Sequence, residues 1–471
     1  LSAISLSDTT KIVILSLNDQ HAKIDNYDKL KALVDQIKKE NNNVLLFAAG
    51  DNFTGNPIVD MYPDKGYPII DLMNEVGFNA TAVGNHEFDY GQETLLKRIN
   101  QAKFHFLSAN ISDQSKKLNI KPYQVFKLAN GIKVIVVSAI QLGSNGLPDS
   151  HPDNLNGITF SDGLASIEKY KALRDSCNVF IALTHLGFET DIELAKKIPQ
   201  LDLIMGGHTH TLTKPATVAN NVTIMQAGSN VRNLSKATIY LVDGKVVRLV
   251  PEMLNISSFP LSDSIIAKKI EGYNDNKELN RIIGYTPTDI TGSDELGSLM
   301  TDAITSLKDI NFAFQNNGGI RIDNINKGPI TVKDVYKLDP FGNEIILFKM
   351  KPDEIKSLIL NAYKEAGNSI DLQVSGLTYT ILTDEKGNAL DVDLKGTEIK
   401  IKKNKTYNVG INSYIASSYK FTHKDPGISL FITTAQTLIN HIIDHQKDIF
   451  NQNSTVNYKG TKRTFTRISK K

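Results

Sequence analysis

Cysteine is nearly missing from this chain. Its single thiol, Cys177, lies in "DSCNVFIAL" at the edge of an apolar run and is expected to be buried; it can close no intramolecular disulfide, so cysteine usage leaves the redox compartment open. An excess of either charge is missing too. With 53 basic and 51 acidic residues the formal net charge is +2, which gives no electrostatic footprint for a nucleic-acid polymer or an anionic membrane surface. No run approaches the roughly eighteen apolar residues of a membrane span. Internal repeats and low-complexity tracts are absent. The opening "LSAISLSDTT" lacks an initiating Met and a basic n-region, as a removed signal peptide or simple trimming would leave it.

What is present is an alternation of apolar runs and amphipathic stretches. At 471 residues the chain exceeds one core, so at least two domains are expected. Residues 11–17, 43–49, 133–140, 178–185, 201–207 and 221–228 read as strands. Residues 26–40 place Leu30, Leu33, Val34 and Ile37 on one helical face. Near-continuous apolar runs mean strands covered on both faces, so the fold class is layered α/β. Residues 261–286 turn polar and helical, with no strand nearby, and read as a connection. The expected organisation is a first domain over 1–258, a connecting helix and hinge over 259–285, and a second α/β domain over 286–471. The basic end "KGTKRTFTRISKK" reads as a solvated tail.

Five of the apolar runs end in the same kind of residue. After "KIVILSL" comes "NDQH", with Asp19 and His21. After "NVLLFAAG" comes Asp51, and "VGNHEFDYG" carries Asn85 and His86. His185 closes "NVFIALTH", and His208 and His210 follow "LDLIMGG". Ligand sites of α/β sheets lie at the carboxyl ends of strands. Parallel strands would bring all five ends to one edge. Alone, each residue has a plain reading: Asp19 as a helix cap, "GNHE" as a polar turn, each histidine as an ordinary core or surface residue. Five coincidences at one structural position favour a metal site. Carboxylate, imidazole and amide suit Zn, Mn, Fe or Co, and the missing thiolates exclude a structural zinc site. Asp19, His21, Asp51, Asn85, His185, His208 and His210 are too many for one tetrahedral ion, and two divalent ions sharing one carboxylate fit. The Asn52-Phe53-Thr54 sequon lies too close to these ligands to carry a glycan.

In this order, "NDQH", "GDN", "GNHEFD", "TH" and "GGHTH" resemble the calcineurin-like metallophosphoesterases, and more narrowly the two-domain 5′-nucleotidase family. "NNGGIR" (316–321) and "PFGN" (340–343) are similar to that family's C-terminal substrate-binding domain. The resemblance implies that Asp19, His21, Asp51 and His210 hold one ion, and that Asp51, Asn85, His185 and His208 hold the other. It makes His86 the catalytic histidine and Asp89 the residue that orients it; Glu87 is left to the structure of the turn. Two dications against two carboxylates leave a site of about +2, suited to a phosphate dianion and to in-line displacement by an activated water. A protonated His86 would add roughly 10²–10⁴-fold as a general acid.

For the substrate, Arg321 is the natural phosphate clamp, because a planar guanidinium binds phosphate in bidentate fashion. Asn317 and Gly319 are expected to add polar and backbone contacts, and Phe341 and Tyr414 match the two walls of the family's base sandwich. Past Tyr414 the chain reads "SSYKFTHKDPG", where the family usually has "GGDG" and an aromatic. The resemblance thus implies an exported (periplasmic or cell-surface) 5′-nucleotidase acting on nucleotides. The alternatives in the same class are a 2′,3′-cyclic-nucleotide phosphodiesterase and a UDP-sugar pyrophosphatase. An inactive surface binding or adhesion protein is the alternative from another class, and a complete ligand set argues against it.

Overall fold

Ile12 and Ile14 of the strand Thr9–Leu17 point to one side of their sheet, and Val13 and Leu15 point to the other; all four are fully buried. A strand covered on both faces belongs inside a layered domain, and so it proves in the computed structural model, which describes residues 9–115, 117–143, 145–445 and 457–469. The chain divides between Asp275 and Asn276 into two units.

The first unit is built on two six-stranded sheets. In one, Thr9–Leu17 runs parallel to Val44–Ala48, followed by Ala80–Ala82 and His105–Leu107, while Asn233–Val242 and Lys245–Asn255 close its other side antiparallel. In the other, Lys133–Ile140, Val179–His185, Leu203–Met205 and Val222–Met225 are parallel neighbours. Ile12, Ile14 and Phe47 of the first sheet share one core with Val134, Val136, Ile181, Leu183 and Met205 of the second. The far face of the second sheet, with Ile135, Val137, Phe180 and Ala182, packs on Ile167, Leu194 and Ala195 of the helices Gly163–Glu168 and Phe188–Lys197.

This corrects the picture of a single sheet edge. Three ligand-bearing strand ends belong to the first sheet and two to the second. They meet because the sheets stack face to face.

The segment read as a connection is not loose. Its helix, Ser264–Asn274, is capped by Asp263, whose carboxylate accepts from the Ile265 and Ile266 N–H groups, and it buries Ile266 and Ile270. Lys269 reaches Asp71 and Glu75 of the helix Tyr67–Val76 at 2.9 and 3.0 Å, and the Tyr273 hydroxyl donates to Asp71 at 2.6 Å. The helix therefore belongs to the first unit. Past it, Ile282–Thr286 pairs with Gly328–Thr331 in the second unit.

The second unit has a five-stranded mixed sheet in the order Leu372–Ser375, Phe312–Asn316, Tyr407–Asn412, Glu344–Met350, Ile428–Thr433. Phe312, Phe314, Phe348 and Val409 from this sheet pack with Ile355, Leu358 and Ile359 of the helix Pro352–Glu365. The basic end is not a solvated tail. Thr464–Ile468 adds in parallel to Leu377–Thr383. Asp302 pins it, accepting both guanidinium nitrogens of Arg463 at 2.6 and 2.9 Å and the Tyr458 hydroxyl at 2.9 Å. The stretch 433–450 reads in sequence as a helix; it is helical over Thr434–His445, and residues 446–450 lie outside the described residues. Cys177 is half-buried rather than buried, its Sγ 3.6 Å from the Arg174 carbonyl.

Candidate active site

All nine residues read from the strand ends of the first unit come together. Five of the seven ligand positions have left-handed backbone: Asp19 (φ 49°), His21 (47°), Asp51 (54°), His208 (84°) and His210 (54°). Such conformations are costly for non-glycine residues and persist where the surroundings fix them. These turns follow the strands Thr9–Leu17, Val44–Ala48 and Leu203–Met205, whereas Asn85 has right-handed backbone and His185 is the last residue of its strand.

The imidazoles are held so that their lone pairs converge. His185 Nδ1 donates to the Ala49 carbonyl at 2.7 Å, which leaves Nε2 facing Asp51 Oδ2 at 3.1 Å and Asn85 Oδ1 at 3.2 Å. Asn85 Nδ2 donates to the Asp149 carbonyl at 3.0 Å and so turns Oδ1 inward, 3.3 Å from His208 Nδ1. On the other side His21 Nδ1 donates to the Thr54 carbonyl at 3.1 Å, and its Nε2 meets His210 Nε2 at 2.9 Å, with Asp19 Oδ1 3.4 Å from the latter. Asp19 Oδ2 is held from behind by Asn18 Nδ2 at 2.6 Å and the His208 N–H at 3.0 Å.

Lone pairs confronting one another at about 3 Å repel unless a proton or a metal cation lies between them. Metal–ligand bonds of about 2.1 Å put neighbouring ligand atoms roughly 3.0–3.4 Å apart, the spacing seen here. The residues therefore fit a metal pair: Asp19, His21 and His210 form one group of converging ligand atoms, Asp51, His185 and His208 another, and His21, Asp51 and His86 a third that lies between them and shares a residue with each. Burial alone would push His185 down, yet Asp51 and Asp19 lift it to about 10. Burial, then the charge on His185, pushes His208 down to about 4. Burial would raise Asp51, but His185 and His86 hold it well below the usual carboxylate range. In the bare protein a proton on His185 balances Asp51, and metal binding must release it.

His86 sits beside this cluster. Its backbone N–H donates to Asp51 Oδ1 at 3.0 Å, its Nδ1 donates to Asp89 Oδ2 at 2.6 Å, and its Nε2 is 4.0 Å from Asp51 Oδ2. The other Asp89 oxygen accepts from the Ser150 hydroxyl at 3.1 Å. Asp149 and Ser150 thus hold the ligand Asn85 and the His86–Asp89 pair from one loop. Sequence reading missed both, since neither follows an apolar run. Gly84 is required by space: a Cβ there would meet Asp51 Oδ1 at 2.3 Å.

The second-unit residues gather at the carboxyl end of Phe312–Asn316. The Arg321 guanidinium lies over the Phe341 ring at 5.5 Å. Asn317 Nδ2 donates to the Ile370 carbonyl at 2.8 Å and Oδ1 accepts from Gln373 at 3.1 Å, which leaves one N–H and one lone pair of its amide. Gly319 packs on Gln315, whose Nε2 would lie 2.2 Å from an added Cβ. Ser413 bonds Asn343 and the Glu344 N–H at 3.1 and 3.2 Å, tying the "PFGN" loop to the helix that bears Tyr414. The Tyr414 ring meets Tyr419 edge-on at 6.2 Å, and the Tyr419 hydroxyl donates to Asp371.

Comparison with known proteins gives the same arrangement. Residues 12–212 match the family described as calcineurin-like phosphoesterase, and residues 279–421 the 5′-nucleotidase C-terminal domain. The trifunctional nucleotide phosphoesterase protein YfkN of Bacillus subtilis is 27% identical over 86% of this chain, which spans only 32% of that relative. The 5′-nucleotidase of Vibrio cholerae is 26% identical over 87% of this chain and 85% of its own length. The solved structure of a Thermus thermophilus 5′-nucleotidase precursor superposes with a TM-score of 0.83 at 23% identity, covering 98% of this chain and 100% of that one, and shares the fold. With both domain types matched in order, the chain belongs to the calcineurin-like phosphoesterases that carry a 5′-nucleotidase C-terminal domain.

Proposed function

We propose that the chain hydrolyses nucleoside 5′-monophosphates to nucleoside and phosphate. The observation that carries this reading is the convergence of two ligand groups beside a histidine whose Nδ1 is committed to a carboxylate. Bound divalent ions (Zn, Mn, Fe or Co by the donor set) supply the Lewis-acid charge for displacement at phosphorus.

The rest falls to the protein. Asp19, His21, Asp51 and His210 would hold one ion, and Asp51, Asn85, His185 and His208 the other. His86, its Nδ1 fixed by Asp89, presents Nε2–H to a phosphoryl or leaving oxygen, and the Asp89 carboxylate stabilises the imidazolium. In the second unit Arg321 clamps phosphate, and Phe341 and Tyr414 receive the base. Asn317 and Gly319 add polar and backbone contacts. Export to the periplasm or cell surface remains part of this reading; among the described residues no helix is long and apolar enough to cross a membrane.

Two further reactions, cyclic-nucleotide and nucleotide-sugar hydrolysis, use the same metal site. The sequence past Tyr414 and the description of one relative as trifunctional favour testing them together. Turnover of AMP, UMP, 2′,3′-cAMP, UDP-glucose and ATP by the metal-loaded protein decides. The 5′-monophosphates should be fastest. A cyclic or sugar substrate leading would move the assignment within the class, and no turnover with two metals bound would mark a binding protein.

A further inference from the structure

Glu87, which sequence reading leaves to the turn, has no exposed surface. Its carboxylate accepts four hydrogen bonds. Oε1 takes the Asn52 N–H at 2.7 Å and Asn52 Nδ2 at 3.0 Å; Oε2 takes the Gly84 N–H at 2.6 Å and the Asp51 N–H at 3.0 Å. Three of these donors are backbone groups from two separate loops, one after the strand Val44–Ala48 and one after Ala80–Ala82. The first loop carries Asp51 in its left-handed conformation, the second Asn85 and His86. The loops are joined once more where the His86 N–H donates to Asp51 Oδ1.

From this geometry we infer that Glu87 is the positioning residue of the metal pair, a bracket that holds the shared carboxylate Asp51 in register with the Asn85–His86 turn. The inference rests on the metal-site reading above.

Four N–H donors on two oxygens favour an ionised carboxylate, against burial and the Asp51 charge, which push this carboxyl up to about 7. Each of its oxygens takes two N–H groups, and at this length only a carboxylate offers two acceptor-only oxygens. Glutamine has the same shape, but its amide NH₂ would face two N–H donors wherever it turned. Glu87 makes no direct contact with an ion in this account. It acts through Asp51, whose N–H it fixes and whose unfavourable φ it stabilises. Residues that orient metal ligands in this way typically alter affinity by about 10–100-fold when changed. A merely structural glutamate would affect folding and leave the folded site's affinity alone.

The test uses the full chain stripped of metal and titrated with Co(II) in competition with a chelating fluorophore. Wild type should take up two equivalents. Glu87→Gln should bind about 10–100-fold more weakly, and Glu87→Asp, which keeps the charge on a shorter arm, should fall between. Thermal unfolding of the metal-free proteins is measured alongside. Wild-type affinity in folded Glu87→Gln, with only a lower unfolding temperature, overturns the inference. A wild type that binds no Co(II) overturns the metal reading itself, and this inference with it. Should Glu87→Gln not fold, hydrogen exchange in metal-free wild type decides. Peptides covering 50–53 and 83–87 should be slow, and exchange at unprotected rates refutes the bracket.

Discussion

Replacing Gly84 by alanine tests how closely the two ligand loops approach. The added methyl would lie 2.3 Å from Asp51 Oδ1, 2.6 Å from the Asp51 nitrogen and 2.9 Å from Glu87 Oε2. Ordinary contact begins at 3.4 Å, so the overlap is about 1 Å, and none of the three atoms is the free end of a flexible chain. Gly84 does not need left-handed backbone, so the substitution is a purely steric wedge. Asp51 must retreat, and a displacement of about 1 Å at a catalytic centre costs on the order of 10²-fold in rate. Metal affinity should fall by about 10–100-fold with it. The assay is phosphate release from AMP at saturating and limiting metal, with chelator competition on the same preparations. Gly272→Ala is the control: it lies in the helix Ser264–Asn274 with nothing within 4 Å of an added Cβ, and should stabilise by about 0.5–1 kcal/mol without touching turnover. Wild-type metal affinity and turnover in Gly84→Ala would refute the claim that these loops are locked together.

His86→Ala should keep both metals yet lose roughly 10²–10⁴-fold in kcat, with Asp89→Asn losing less; loss of metal on elemental analysis would make His86 a ligand instead. Asp302→Ala strands the partly buried Arg463 guanidinium and should cost about 2–4 kcal/mol in urea unfolding, with residues 457–469 released to protease first; a change under about 0.5 kcal/mol would show that the pair does not pin the last strand. Burial lifts the Asp339 carboxyl to about 6 despite the bonds from Thr434 and the Phe341 N–H. A raised acid favours folding when protonated, so its contribution is full below about pH 4 and lost as pH rises through 6. Over that window wild type should lose about 3 kcal/mol relative to Asp339→Asn. Parallel stability–pH curves for the two would refute this.

The strand-end cluster was legible because each of its candidate ligands follows an apolar run, and apolar runs mark strands. Lys133–Ile140 and Val179–His185 fall on the apolar runs at 133–140 and 178–185. The division of ligand-bearing strands between two sheets was not legible, since which strands pair depends on contacts such as Thr9–Leu17 with Asn233–Val242, more than 200 residues apart. The last strand was misread for the same reason: "TFTRI" is short and basic, and it becomes a strand only because Leu377–Thr383 offers an edge and Asp302 neutralises Arg463. Glu87, Asp149 and Ser150 hold other residues rather than substrate. Two of them act through side-chain bonds and one through a backbone carbonyl, so residue type carries little trace of the task.

The same long-range pairing decides when the protein can acquire its ions. Asp19 and His210 sit at opposite ends of most of the first unit, and the strand before Asp19 is flanked by one that ends only at Val242. A chain emerging from the ribosome has its first ligands exposed long before their partners exist. Isolated carboxylates and imidazoles bind such ions weakly, so nothing is captured early. Loading must wait until both sheets have closed. The metal content of the mature protein then reports the ions available where folding finishes, rather than where translation begins. If the chain is exported unfolded, its metals come from outside the cytoplasm, and the same sequence folded in another compartment would carry different ones.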